Sequence, residues 1–323
     1  MQIITSREFK INEPTAVALG KFDGIHIGHV ELLNHILYQK KNGLKAAVFT
    51  FNISAASFFS GTQIKEITTI EEKRSIFEQM GVDILIEYPL DDETAKIPAT
   101  NFISDILVAK LNMKYIVAGN DVSFGYMGEG NAQLLTRMAI IFGYTARIAL
   151  KVQYNMKEVS STYVREEIDA GNMETVSVLL GHPYSFKGTV EYGFRLGTKI
   201  GFPTMNLYPD PEKILPPYGV YYSLVTYEGG RYEGLTNIGI RPTVAQNGDT
   251  HVSVETFLYD FDKDMYGKNI VIHLLSFKRP EVKFGSTEEL RNQLSGDVED
   301  GIAYFAGNSI DKFALQGFGN VLI

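Results

Sequence analysis

Two of the six histidines in the chain stand three residues apart in residues 20–29, GKFDGIHIGH, among three glycines and one aspartate. The apolar run Val17-Ala18-Leu19 precedes this stretch and a helical pattern follows it, so it reads as a strand-to-helix turn. Gly20, Gly24 and Gly28 let the backbone approach a ligand closely. A helix beginning near His29 offers unpaired N–H groups and a positive dipole end to an anion. His26 and His29 would both reach the phosphates of a nucleotide. In nucleotidyl transfer, charge builds on the α-phosphate and on departing pyrophosphate, and donors fixed at those oxygens lower the barrier without covalent chemistry. An isolated H-x-G-H fits a glycine-rich turn with two surface histidines equally well; the strand, the Phe-Asp-Gly and the helix around it favour the functional reading.

The elements that must hold this turn alternate between β-rich and helical runs. Strands are expected at 15–19, 45–51, 82–88, 114–118 and 145–152, several of them almost wholly apolar, as in a parallel sheet buried on both faces. Helices are expected at 29–41 with Gly43 as C-terminal cap, from the Thr69/Glu72 capping box to Met80 with Gly81 beyond, and at 102–111, 134–142, 162–170 and 173–180. This alternation predicts a doubly wound α/β sheet, whose ligands bind beyond the carboxyl ends of the strands. GHPY at 181–184 marks a boundary. Beyond it, period-2 runs at 185–191, 220–227, 232–239, 252–259 and 269–277, with an EGG hairpin turn at 228–230, predict a small antiparallel β-barrel. Helical periodicity returns at 287–294 and 297–305. The predicted domains are 1–182 and 183–323.

At 323 residues the chain is too long for one ordinary core, which agrees with two domains. Apolar residues make up 45% and charged residues 21%, the balance of a soluble globular protein. A formal net charge of -8 gives no electrostatic support to non-specific nucleic-acid binding, so any bound phosphate must be held by a local site. The absence of cysteine excludes disulfides, thiolate metal sites and cysteine nucleophiles, and suits the cytoplasm. The opening MQIITSREFKINEP lacks the apolar core of a signal peptide, and no apolar run is long enough to span a bilayer. The expected partners are small molecules, with neither nucleic acid nor membrane among them.

GKFDGIHIGH resembles the nucleotide-binding turn of the FMN adenylyltransferase module of bacterial bifunctional FAD synthetases. SSTYVR at 160–165 is similar to that family's Ser-Ser-Thr-x-x-Arg segment, and GNDVSFG at 119–125 to its Gly-x-[Asn/Asp]-Phe-x-Phe-Gly loop. The resemblance implies ATP contacts at Gly20, Phe22, Asp23, Gly24, Ser161 and Thr162, catalysis by His26, His29 and Arg165, and a flavin contact at Asp121. Taken alone, SSTYVR would be a helix cap followed by a solvated arginine. The chain departs from the family in two places. FNISAASFF at 51–59 stands where the family has Phe-x-Pro-His-Pro, and the loop FGYMGEGN at 124–131 holds no Lys or Arg but places Glu129 near the expected FMN phosphate. Without one charge-assisted hydrogen bond to phosphate, binding weakens by about 1.5–3 kcal/mol, roughly ten- to a hundredfold.

In the second half, GFRLGTKIGFPTMNL at 193–207 resembles the ATP-binding signature of riboflavin kinases, with Met205 in place of the usual alanine. Gly193, Gly197, Gly201 and Pro203 are thereby implied ATP contacts. The Thr204 hydroxyl and Asn206 amide oxygen are hard ligands suited to Mg²⁺. PPYGVYYSLV at 216–225, NIGIRPTV at 237–244, VETFLYDFDKDMYGK at 254–268 and FKRPEVKF at 277–284 follow in family order. By the same resemblance Glu255 is the general base for the ribityl 5′-hydroxyl and Arg279 meets the flavin. The implied activity is phosphorylation of riboflavin to FMN and adenylylation of FMN to FAD, with ATP as co-substrate and Mg²⁺ as metal. A riboflavin kinase with an inactive adenylyltransferase half, and a non-catalytic flavin sensor, remain as alternatives.

Overall fold

The computed structural model describes residues 1–193, 197, 200–242 and 250–308. Of the glycine segment, residues 194–196 and 198–199 lie outside the described residues, as do the last two residues of NIGIRPTV. The chain divides into two compact units, one running from Met1 to Tyr163 and one beginning at Val164.

The first unit holds a parallel sheet of β1 (Gln2–Ile4), β2 (Thr15–Leu19), β3 (Lys45–Phe51), β4 (Ile84–Tyr88), β5 (Met113–Gly119) and β6 (Thr145–Ala149), in the order β1-β4-β3-β2-β5-β6. The helices α1 (Ile27–Tyr38), α2 (Ala55–Ser60), α3 (Ile70–Met80), α4 (Ala99–Asn101) and α5 (Ala132–Phe142) run between or beside the strands. Ala16 and Ala18 enter one core layer with Leu33, Ile36 and Phe77, while Val17 and Leu19 enter the opposite layer with Phe49 and Leu107. Burial of each large apolar side chain contributes about 1.5–3 kcal/mol, which is why these strands read as continuous apolar runs. Strand order reverses about β2: the chain moves outward through β3 and β4, then returns to the other side at β5. The crevice beyond the carboxyl ends of β2 and β5 therefore receives both the histidine turn and the GNDVSFG loop.

Several boundaries differ from the sequence expectation. The capping box at Thr69 and the left-handed caps at Gly43, Gly81 and Gly143 are present. The helix expected at 102–111 continues from α4 in π-helical turns, Phe102–Lys110, closing with Leu111 N–H donating to Ile106 O at 3.0 Å. The sixth strand stops at Ala149, and the chain goes on into a short hairpin, β7 (Gln153–Tyr154) and β8 (Lys157–Glu158), before α6 (Ser161–Asp169).

In the second unit, α7 (Met173–Leu180) is followed by β9 (Tyr184–Thr189), β10 (Thr204–Leu207), β11 (Gly219–Tyr227), β12 (Gly230–Pro242), β13 (Thr250–Leu258) and β14 (Asn269–Pro280). These form an antiparallel sheet in the order β10-β13-β12-β11-β14-β9. Just past β9, Glu191 N–H donates to Asn206 O at 2.8 Å, so the sheet curls until its two edges meet. Glu228 and Gly229 take the left-handed conformation of the expected hairpin turn, and Tyr227 pairs with Gly230. The two helices expected near the end are one, α8 (Thr287–Gly307). A glycine such as Gly296 costs a helix about 1 kcal/mol. Packing of Phe305 against Leu224 and Leu275, and a buried ion pair at Asp297, outweigh it.

Candidate active sites

The chain leaves β2 through a turn pinned from several sides. Asp23 Oδ1 accepts from Ile67 N–H at 2.8 Å, Gly24 N–H donates to Thr68 Oγ1 at 2.8 Å, Thr50 Oγ1 donates to Lys21 O at 3.2 Å, and Ser161 Oγ donates to Asp23 O at 2.8 Å. These ties hold Phe22 and Ile25 at φ of 52° and 43°. Left-handed backbone costs a non-glycine residue about 1–2 kcal/mol. The conformation folds both side chains inward, where each is 0% exposed. Phe22 thus lies beneath the turn, edge-on to Phe77, and presents only its backbone to a ligand.

The two imidazoles stack, with ring centroids 3.8 Å apart and planes 18° from parallel. His26 is the N-cap of α1, and its Nδ1 accepts from His29 N–H at 3.3 Å. A nitrogen that accepts carries no hydrogen, so the neutral His26 ring keeps its proton on Nε2. Gly28 is the residue that allows this: a Cβ there would lie 3.1 Å from His26 Nδ1. Burial pushes the His26 pKa down to about 4 against the opposing pull of Asp23 and Asp121. Burial, then the neighbouring His26 and Lys73, hold His29 well below the ordinary histidine range. At neutral pH the pair is two uncharged N–H donors beside the free amides of α1, an arrangement built to receive an anion.

Asp121, at the end of β5, pairs with Lys151 at 3.2 Å, and Lys151 also meets Glu158 at 2.9 Å. The carboxylate of Asp121 lies close enough to His26 to oppose, slightly, the fall that burial causes in its pKa. Ser160 Oγ caps α6 by accepting from Tyr163 N–H at 3.2 Å. Ser161 stands beside Asp23, Thr162 is exposed, and Arg165 follows one turn on along α6. Both departures from the family pattern have local structure of their own. FNISAASFF folds its second half into α2, capped by Ser54 Oγ accepting from Ser57 N–H at 3.0 Å. Glu129 has a structural contact in its loop: its Oε1 accepts from Ala99 N–H at 2.9 Å and caps α4.

The second site is a single rung of the antiparallel sheet. Asn206 of β10 pairs with Glu255 of β13, Glu255 with Asn237 of β12, Asn237 with Val220 of β11, and Val220 with Arg279 of β14. Residues directly opposite one another across strands share a face. All five line one cavity of about 630 Å³, together with Gly197 and Thr204. Thr204 Oγ1 donates to Glu255 Oε2 at 3.5 Å. Asn206 is 3% exposed, and its Oδ1 is buried without a hydrogen-bond partner. Gly193 lies against that amide, where a Cβ would meet it at 2.3 Å; Gly201 has a φ of +92°, and Pro203 leads into β10. An orphaned buried amide oxygen beside a hydroxyl and a carboxylate fits a hard cation. Among the described residues there is no cluster of three His, Asp or Glu side chains suited to a metal ion. Such a cation would therefore rely on few protein oxygens and on substrate phosphates.

Two residues of this site escaped the sequence reading. Asn237 lay inside a recognised segment without a role, and its Nδ2 donates to Glu281 Oε1 at 3.2 Å. Asp297, 1% exposed, grips Arg279 and lines the same cavity. Only the alternation of α8, which turns Asp297 to the side of Leu290 and Leu294, could have signalled it.

A parallel-sheet unit with a histidine turn at its switch point, followed by a curled antiparallel sheet with a Thr/Asn/Glu cavity, defines a two-domain ATP-using transferase. Residues 8–163 match the FAD synthetase family and residues 180–305 the riboflavin kinase family. The chain belongs to the family of bifunctional riboflavin kinase/FMN adenylyltransferases: it is 35% identical to the member from Listeria monocytogenes over 90% of this chain and 92% of that one. It is 32% identical to the Bacillus subtilis member, covering 90% and 93%, and 33% identical to the Escherichia coli member, covering 88% and 91%. A crystal structure described as a macrolide-efflux protein from Streptococcus pneumoniae shares the fold, with a TM-score of 0.81, 28% identity, and coverage of 93% and 98%. Among the described residues of this chain, no helix is long and apolar enough to cross a membrane.

Proposed function

We propose that this chain makes FMN from riboflavin at the barrel rung and FAD from FMN at the histidine turn, with the activities divided between residues 183–323 and 1–182. ATP is co-substrate in both. In the first reaction Glu255 takes the proton of the ribityl 5′-hydroxyl as that oxygen bonds to the γ-phosphorus and the bond to ADP breaks. The glycine segment around Gly193, Gly197 and Gly201, ending at Pro203, cradles the ATP phosphates through backbone N–H groups. Thr204 Oγ1 and Asn206 Oδ1 are the protein oxygens for Mg²⁺, which supplies neutralisation of phosphate charge. Arg279 lies at the flavin end.

In the second reaction a phosphate oxygen of FMN bonds to the α-phosphorus of another ATP, and pyrophosphate leaves. The nucleophile is already an anion, so the site needs donors rather than a base. His26 Nε2–H, His29, the α1 amides and Arg165 meet the growing charge. The backbone of Gly20, Phe22, Asp23 and Gly24, with Ser161 and Thr162, holds ATP, and Asp121 orients the flavin. The net charge of -8 and the lack of cysteine support small-molecule chemistry in the cytoplasm without a nucleic-acid partner.

The observation that carries this reading is the convergence of Thr204, Asn206, Glu255 and Arg279 on one cavity. A chromatographic assay of riboflavin with Mg-ATP, scoring FMN and FAD separately, tests it. Glu255→Gln should abolish FMN formation yet leave FAD formation from added FMN intact, and His26→Ala should do the reverse. If the unsubstituted protein makes no FMN, the kinase assignment fails. If it makes no FAD from added FMN, the adenylyltransferase assignment fails.

A further inference from the structure

Asp297 is the most deeply buried carboxylate among the described residues, at 1% exposure. Arg279 Nε donates to its Oδ1 and Oδ2 at 3.1 and 3.0 Å, and Arg279 Nη2 donates to Oδ2 at 2.5 Å. Gln293 Nε2 donates to Oδ1 at 3.0 Å, and Lys278 Nζ lies 3.7 Å away. Arg279 Nη1 donates to Pro280 O at 3.1 Å. A guanidinium carries five N–H donors; these contacts use three and leave one on each terminal nitrogen. A cation paired this fully is a weak holder of phosphate but a rigid hydrogen-bonding fork. Both residues line the cavity that holds Glu255. Burying a carboxylate this deeply is unfavourable without such pairing, and Leu290, Leu294 and Val298 already give α8 an apolar face on the cavity.

We propose that Asp297 is a positioning residue of the riboflavin-phosphorylating site: it locks Arg279 so that its two remaining N–H groups recognise an uncharged, hydrogen-bond-accepting edge of the flavin. The claim rests on the reading that this cavity takes riboflavin. Helix α8 is then part of the flavin pocket, and the barrel strands alone are not sufficient for it.

Riboflavin binding to the full chain, read by quenching of flavin fluorescence, tests this beside steady-state kinetics. Asp297→Asn replaces one acceptor oxygen by an amide that faces guanidinium donors. It should raise the riboflavin Kd and KM by about tenfold or more while kcat and the KM for ATP stay within about threefold. FAD formation from added FMN should be unchanged, which reports an intact chain. Asp297→Leu leaves a buried cation and should lower the unfolding temperature. The double variant Asp297→Leu with Arg279→Met should recover that temperature yet keep the riboflavin defect of Arg279→Met alone. Unaltered riboflavin affinity in Asp297→Asn, or restored affinity in the double variant, overturns the proposal. Normal riboflavin binding without FMN formation by the unsubstituted chain would defeat the kinase reading instead, and the binding comparison would still decide the role of Asp297.

Discussion

Substituting His26 by asparagine separates its cap from its titration. Asparagine is as good an N-cap as the chain could carry, so the bond from His29 N–H is retained while the ionisable ring is removed. His26 is 7% exposed and its pKa is lowered to about 4 from 6.5 in the unfolded chain. A base with a depressed folded pKa binds more protons when unfolded, so stability rises with pH through the window from about 4 to 6.5 and is lost as pH falls. For these two values, the loss between about pH 7.5 and pH 5 comes to about 2 kcal/mol from this one ring. His273, in the second unit, is pushed down to about 3 by burial and then by His182 and Arg231, so it adds a parallel loss there. The contrast between parent and variant removes that contribution. Urea unfolding of both proteins at the two pH values, followed through the transition of the first unit, should show the parent losing about 2 kcal/mol more than the variant. A gap between the two proteins that stays constant with pH, within about 0.5 kcal/mol, would refute the argument that burial keeps this imidazole neutral.

Three further outcomes are expected. Asn206→Ala removes the orphaned oxygen and should raise the KM for Mg-ATP in riboflavin phosphorylation about ten- to a hundredfold, with FAD formation from added FMN unaffected. Ser161→Ala breaks the tie to Asp23 O, worth about 1 kcal/mol, and should slow adenylyl transfer about fivefold without altering FMN production. Glu129→Gln should leave the KM for FMN within about twofold but lower stability by about 0.5–1 kcal/mol, because the carboxylate caps α4 near its positive end; a large fall in that KM would show that it repels phosphate after all.

Much of the first site is legible in the sequence because its parts are neighbours along the chain. The two histidines, Gly28 between them and the helix they begin all fall within ten residues, and local chemistry specifies local geometry. The stacking of the rings and the tautomer of His26 are less legible, since they depend on the φ values of Phe22 and Ile25, which contacts from Ile67, Thr68 and Ser161 impose from far along the chain. The sign of Glu129 is visible in the sequence, but its hydrogen bond from Ala99 N–H is not, because a loop residue's direction is not written in its neighbours. The second site shows the sharper limit. Signature residues named Thr204, Asn206 and Glu255, but the rung that aligns Asn206, Glu255, Asn237, Val220 and Arg279 is a matter of strand register, and no local pattern encodes pairing between segments so far apart. The helical periodicity at 287–294 and 297–305 reads as two segments because propensity is local, whereas the packing that carries α8 through Gly296 is not.

The position of Asp297 downstream of every barrel strand has a consequence for synthesis. A nascent chain emerges from the ribosome in sequence order, so the parallel-sheet half and the strands bearing Glu255 are already outside before α8 appears. Until that helix docks, Arg279 has no anionic counterpart from Asp297, and the cavity beside Glu255 lacks a wall. On the proposed assignment of the two sites, the residues of the histidine turn thus leave the ribosome well before the pair Arg279 and Asp297 can form.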